Sequence, residues 1–224
     1  MKRLIQSIPL LLLTITVSSQ QLSQVTFLGG SALHSFSFRT DQDVLIRLTP
    51  DGNIIDFGIE VANRYNYYAP TLQPFMGRIE YYGPEADSAF RGKVRSIGTC
   101  NFTYYGSYEA DSKPGKIRTI GTLLFDYYTK FDNVAIRGKI RFVGYQEITY
   151  YFSNIDETFN GKLKSIANTP INYYSVFDDR YNHGKLKSIG SVVFQWYSEF
   201  DQARGALKTG YNRSNIGGIT YILY

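Results

Sequence analysis

Apolar and polar residues alternate in short bursts along most of this chain, and the bursts return at a fixed interval. Val94, Ile117, Ile140, Leu163 and Leu186 form one apolar column with a spacing of 23 residues, and Ile97, Ile120, Val143, Ile166 and Ile189 form a second. A glycine follows at 98, 121, 144 and 190, with Ala167 in the remaining unit. The next burst reads apolar, polar, aromatic, as in Phe102-Thr103-Tyr104, Phe125-Asp126-Tyr127 and Phe194-Gln195-Trp196. Period two over such lengths predicts half-buried strands. Each unit is therefore strand, glycine turn, strand and a variable connection such as "GSYEADSKP" or "SVFDDRYNH".

A fixed period of this size marks a repeat architecture whose units need their neighbours to bury an apolar face. The pattern predicts an all-β fold of tandem 23-residue β-hairpins forming a curved antiparallel meander. In the first strand of each unit the two apolar columns stand three residues apart, which predicts a β-bulge that returns both to one face. A parallel β-solenoid with the same period is the alternative. The interval from Gly77 to Gly92 is only 15 residues, which a shortened hairpin absorbs more easily than a coil does.

The regular units occupy residues 77–204. Residues 20–76 read as an N-terminal cap with degenerate repeats, in which Gly52, Ile54, Gly58 and Tyr67-Tyr68 keep nearly the right order. Residues 205–224 read as C-terminal capping strands, since an open sheet edge invites aggregation. At the start, Lys2 and Arg3 precede an apolar run from Ile8 to Val17 and then small polar residues, so residues 1–19 are expected to be a signal peptide. The run is too short for a spanning helix, which needs about 20 apolar residues. The mature chain is thus expected in the periplasm, at the cell surface or outside the cell. An outer-membrane β-barrel is a second reading, suggested by the closing "ITYILY". Spanning strands need about 9 to 11 residues, and "GKIRTIG" offers fewer.

The formal charge is +5, and without Lys2 and Arg3 it falls to +3, with 22 basic against 19 acidic residues. No nucleic-acid partner is expected from so mild an excess. Cys100 is the single cysteine, which precludes an intramolecular disulfide and points to a thiol buried in a strand.

The opening "GKLKSIG" with a later "YY" resembles repeats of the membrane-occupation-and-recognition-nexus type, and the junctions "FDNVAIRGKIR" and "FDDRYNHGKLK" resemble the tyrosine-aspartate repeats of bacterial Rhs-type secreted proteins. Both families build sheets from tandem hairpins. The resemblance covers roughly residues 77–210 and implies that architecture, without carrying over an activity or a site.

The charged columns form the candidate ligand-binding face. Lys93, Lys116, Lys139, Lys162 and Lys185 stand two residues from Arg95, Arg118, Arg141, Lys164 and Lys187, a spacing that puts both columns on one face of a strand. Tyr105, Tyr128, Tyr151, Tyr174 and Tyr197 are expected on the polar side of the second strand, giving rows of cations alternating with rows of tyrosines. Such a face suits an anionic envelope polymer, a glycan or a partner protein. Equally, lysine and arginine are ordinary on solvated strands, where they guard sheets against edge pairing. His34 and His183 are the only histidines, no histidine and cysteine spacing suggests zinc, and no glycine-rich phosphate loop precedes a helix. The aspartates of "FDD" and "NIDET" could make a glycosidase pair but read more simply as turn residues. The expectation is a non-enzymatic repeat protein without cofactor or metal, acting as a scaffold or binding module at the cell envelope.

Overall fold

The computed structural model describes residues 21–61, 71–109, 111–152 and 156–224. The signal-peptide reading of residues 1–19 and the Tyr67-Tyr68 pair lie outside the described residues. Four strands open the described chain: β1 (Gln21–Leu28), β2 (Ala32–Arg39), β3 (Val44–Leu48) and β4 (Ile54–Glu60), followed by the short β5 (Leu72–Gln73). The repeat region begins with β6 (Ile79–Tyr81) and proceeds in pairs. These are β7 (Val94–Ile97) with β8 (Cys100–Tyr104), β9 (Ile117–Ile120) with β10 (Leu123–Tyr127), β11 (Ile140–Val143) with β12 (Gln146–Tyr150), and β13 (Leu163–Ile166) with β14 (Thr169–Tyr173). The last unit has β15 (Leu186–Ile189), then β16 (Val192–Val193) and β17 (Gln195–Trp196), interrupted at Phe194. The chain closes with β18 (Leu207–Thr209), β19 (Arg213–Ile216) and β20 (Ile219–Leu223).

The strands β6 to β16 pair strictly in chain order as an 11-stranded sheet, and every pair in it is antiparallel. This is the hairpin meander, open and not closed into a barrel, and it excludes the one-coil-per-unit solenoid. The bulge stands where the column offset puts it. Thr103 pairs with Thr119 and Tyr104 with Ile117, so Arg118 is the extra residue. The same slip makes Arg95, Arg141, Lys164, Lys187 and Lys208 the extra residues of the other units. Each bulge returns the two apolar columns to the same side, where Ile117 and Ile120 are both buried.

Two-residue turns join the hairpins: Ile120 pairs with Leu123 around Gly121 and Thr122. Gly121 has φ +56°, and Thr122 is not among the positive-φ residues, the pattern of a type II′ turn. Ala167 occupies this position with φ +47°. Its methyl group incurs the left-handed penalty of about 1 to 2 kcal/mol that the sister glycines escape. The greater freedom of glycine in the unfolded chain offsets roughly 0.4 to 1 kcal/mol of that difference. Ala167→Gly is therefore expected to stabilise the protein by about 0.5 kcal/mol in a urea melt. A lower midpoint would contradict this turn geometry.

Segments before and after the regular units form a second sheet that shares its apolar face with the array. The strands β1 to β5 join β19 and β20 in a seven-stranded sheet of order β19-β20-β1-β2-β3-β4-β5. β20 runs parallel to β1, from Gln24↔Thr220 to Phe27↔Leu223, and thereby unites the two ends of the described chain. Val25, Phe27, Phe36, Phe38, Ile46 and Leu48 of this sheet share one apolar cluster with the repeat columns. Phe38 meets Phe125 edge to face, with ring centroids 5.0 Å apart. A sheet with one apolar face must bury it against a second layer, and the non-repeating segments supply that layer. Cys100 is buried in β8, and desolvation pushes its thiol up to about 11, so it stays protonated and inert at neutral pH.

Candidate functional site: the lysine, arginine and tyrosine columns

The paired aromatics and the basic columns explain how one hairpin holds the next. From Tyr104 onward the first aromatic of each pair faces the core, while Tyr81 at the start of the array is 57% exposed, and three of these rings bond backwards within their unit. Tyr104 donates to the Val94 carbonyl at 2.9 Å and Tyr127 to the Ile117 carbonyl at 2.7 Å. In the last unit Trp196 replaces tyrosine, and its Nε1 donates to the Leu186 carbonyl at 2.7 Å, preserving the bond with a different ring. The hydroxyls of Tyr150 and Tyr173 are buried without a hydrogen-bond partner among the described residues.

The second tyrosine bonds forwards into the following unit. Tyr82, Tyr105, Tyr128, Tyr151 and Tyr174 donate to the carbonyls of Phe102, Phe125, Ile148, Ile171 and Phe194 at 2.8 to 3.1 Å. The first basic column also reaches forwards. Lys139 Nζ donates to the Gly161 carbonyl at 2.6 Å and Lys162 to Gly184 at 2.9 Å, while Lys93, Lys116 and Lys185 make the same bond to Gly115, Gly138 and Gly205. Each ammonium also lies over the core-facing ring of its own unit, at 4.7 to 5.4 Å from the centroid of Tyr104, Tyr127, Tyr150, Tyr173 or Trp196. Burial lowers the pKa of all five lysines, and Asp51 opposes that shift only partly at Lys116 and Lys139.

The second basic column behaves differently. Arg95, Arg118, Lys164 and Lys187 are exposed and Arg141 is half-buried. Four of these charges rest on the second tyrosine of the preceding unit: Arg118 on Tyr105 at 5.8 Å, Arg141 on Tyr128 at 5.5 Å, Lys164 on Tyr151 at 5.7 Å and Lys187 on Tyr174 at 5.1 Å. Lys208 continues the row over Tyr197 at 5.5 Å. None of them enters an ion pair among the described residues.

The two basic columns, expected on one face, are thus separated: the lysines lock neighbouring units, and the residues at the bulges meet solvent. Nor do the tyrosines form an open row between the cations. Tyr105 and Tyr128 are buried, Tyr151, Tyr174 and Tyr197 are half-buried, and the first four commit their hydroxyls to backbone carbonyls. A bulge breaks the two-residue rule that relates neighbouring side chains to a face, and it lies between the two basic columns; the tyrosines, on the unbulged strand, are drawn in by the carbonyls of the next unit that their hydroxyls bond. Outside the sheet, Asp178 and Asp179 accept turn bonds from Ser175 N at 2.7 Å and Tyr181 N at 3.0 Å, and Asp156 from Thr158 N at 3.0 Å. These carboxylates act as turn residues.

Absent from the sequence expectations is an aromatic column in the connections: Tyr108, Phe131, Phe177 and Phe200, again at multiples of 23 residues. The interval was its only signal, shared in these connections by the turn aspartates at 132, 178 and 201. The chain matches no protein-family model, no curated protein and no solved structure.

Proposed function

We propose that this chain is an exported, non-enzymatic binding module of the cell envelope that holds an extended anionic polymer along Arg95, Arg118, Arg141, Lys164 and Lys187. The observation that carries this reading is the row itself: one cation per hairpin at each bulge, none engaged in an ion pair among the described residues. Adjacent units stand two strands apart, roughly 9.5 Å, so the row offers regularly spaced charges to a linear polyanion. Tyrosine rings underlie four of these charges, Arg118, Arg141, Lys164 and Lys187, and fix them by cation–π attraction, lowering the ordering cost of binding. The expectation of export rests on the sequence of residues 1–19.

The test is retention of the mature chain on linear anionic polysaccharides such as alginate and polygalacturonate. Replacing Arg118, Arg141, Lys164 and Lys187 with glutamine is expected to weaken low-salt retention about tenfold, from four contacts each worth a few tenths of a kcal/mol. Added salt should release the parent protein, because exposed charges are screened over about 8 to 10 Å at physiological ionic strength. Lys116→Gln and Lys139→Gln should lower the melting temperature and leave retention intact. Loss of retention in the second pair alone would move the site to the buried column.

A further inference from the structure

Most outward positions of the hairpins drift freely from unit to unit. Asn101, Leu124, Glu147, Pro170 and Val193 occupy one equivalent exposed site, and Thr99, Thr122, Tyr145, Asn168 and Ser191 another, exposed or half-exposed. The connection column behaves otherwise. Tyr108, Phe131, Phe177 and Phe200 remain aromatic while standing 99%, 85%, 87% and 89% exposed. The remaining member of the column, Asn154, lies outside the described residues. Core columns repeat because packing demands it, but among the described residues no ring stacks on these four, and Phe131 carries a lysine ammonium, that of Lys130, 5.1 Å from its centroid.

The backbone beneath the rings is held firmly. Asp132 Oδ2 accepts from Thr129 N at 2.6 Å and Thr129 Oγ1 at 2.8 Å, closing the turn that carries Phe131. Asp178 does the same for Ser175 at 2.7 and 3.1 Å under Phe177, and Asp201 for Ser198 at 2.8 Å under Phe200. The connections that carry Phe131, Phe177 and Phe200 are each tied to the preceding one. Lys130 N donates to Asp111 at 2.8 Å, Val176 N to Asp156 at 3.2 Å and Glu199 N to Asp179 at 3.1 Å. The rings are therefore set at the spacing of the sheet, roughly 9.5 Å between adjacent units and about twice that across the unit of Asn154.

We infer that this edge is a second binding surface, with Tyr108, Phe131, Phe177 and Phe200 as stacking platforms for a linear, uncharged, β-1,4-linked glycan. Two strands span close to the length of two sugars in such an extended chain, so successive rings meet equivalent sugar faces. The turn bonds of Asp132, Asp178 and Asp201 all fall on Oδ2. Oδ1 takes no part in closing these turns, leaving an acceptor for sugar hydroxyls beside each phenylalanine. Charge selects against the competing occupant, an anionic lipid surface: the five connections 106–114, 129–137, 152–160, 175–183 and 198–204 carry nine acidic against five basic residues. The surface is distinct from the cation row and does not depend on it.

The experiment measures depletion of the full mature chain by cellulose, chitin and β-mannan in high salt, where contacts of the cation row are screened. Retention on at least one of them is expected. Phe131, Phe177 and Phe200 changed together to alanine should reduce it about tenfold or more, while the melting curve stays unchanged because the rings are exposed. The corresponding tryptophan variant should retain or strengthen binding, and the glutamine variant of the cation row should bind like the parent. No retention on any neutral glycan overturns the inference, as does equal retention by the parent and the alanine variant. Binding to phosphatidylcholine vesicles, or self-association by sedimentation, that is lost in the alanine variant while glycan retention is not, would assign the rings to lipid or to a second copy instead.

Discussion

Phe125→Ala is expected to destabilise the protein by about 3 to 5 kcal/mol, the usual cost of deleting a buried aromatic ring. Phe125 is fully buried in β10 and meets Phe38 of the covering sheet edge to face. Its loss leaves a cavity between two layers that are each tied by backbone ladders, so neither can move far to fill it. The preceding residue along the strand provides the contrast. Leu124 points outward and is about half exposed, 51%, so Leu124→Ala should cost less than about 1 kcal/mol. Urea melts of the two variants measure the difference directly. Similar midpoints would mean that the two faces of the repeat sheet have been assigned the wrong way round.

The second large effect is expected at the far end of the seam between the sheets. Gly30 has φ +64°, and a Cβ there would stand 1.9 Å from Cη2 of Trp196. The indole has little room to yield, because its Nε1 is bonded to the Leu186 carbonyl while Leu186 N donates to the Gly30 carbonyl at 2.8 Å. Gly30→Ala combines overpacking of about 1 to 3 kcal/mol with a left-handed alanine of about 1 to 2, for a total of roughly 2 to 5 kcal/mol. Gly29 is the control. It has φ +58°, but a methyl group added there would meet nothing within 4 Å, so Gly29→Ala should show only the backbone cost of about 1 to 2 kcal/mol. Thermal or urea unfolding of both variants separates contact from conformation. Equal losses would show that the indole does not press on the Gly30 turn.

The repeat sheet was legible because each of its columns is sampled several times. One apolar residue at position 120 says little, whereas Ile97, Ile120, Val143, Ile166 and Ile189 together define a buried row. The bulge followed from an offset of three residues, and the turn from the glycines. The covering sheet was not legible as such. β1 to β4 occur once each, and the β1–β20 pairing joins segments separated by nearly the whole described chain, for which a single sequence carries no periodic sign. The candidate face was only half legible. Every unit keeps a second tyrosine, a constancy typical of inner positions and unlike the drift at 101, 124, 147, 170 and 193. That contrast was the available sign that Tyr105 and its equivalents bond to backbone and lie beneath the cations. The lysines at 93, 116, 139, 162 and 185 precede the bulge, and their bond to the next glycine depends on three-dimensional proximity that spacing alone does not encode.

The parallel pairing of β1 with β20 has a mechanical consequence. The chain enters β1 at one end of this pair and leaves β20 at the other. Tension applied through the two ends of the described chain loads their shared ladder lengthwise, in shear, with all its bonds resisting together. Tyr224 N to the Phe27 carbonyl at 3.0 Å and Gly29 N to the Tyr224 carbonyl at 2.7 Å extend that clamp by one further residue. The hairpins of the repeat sheet, which would peel open one bond at a time if pulled individually, bear no load until this clamp gives way. A protein tethered at one end and tugged at the other would keep its displayed rows in register up to the rupture force of a single pair of strands.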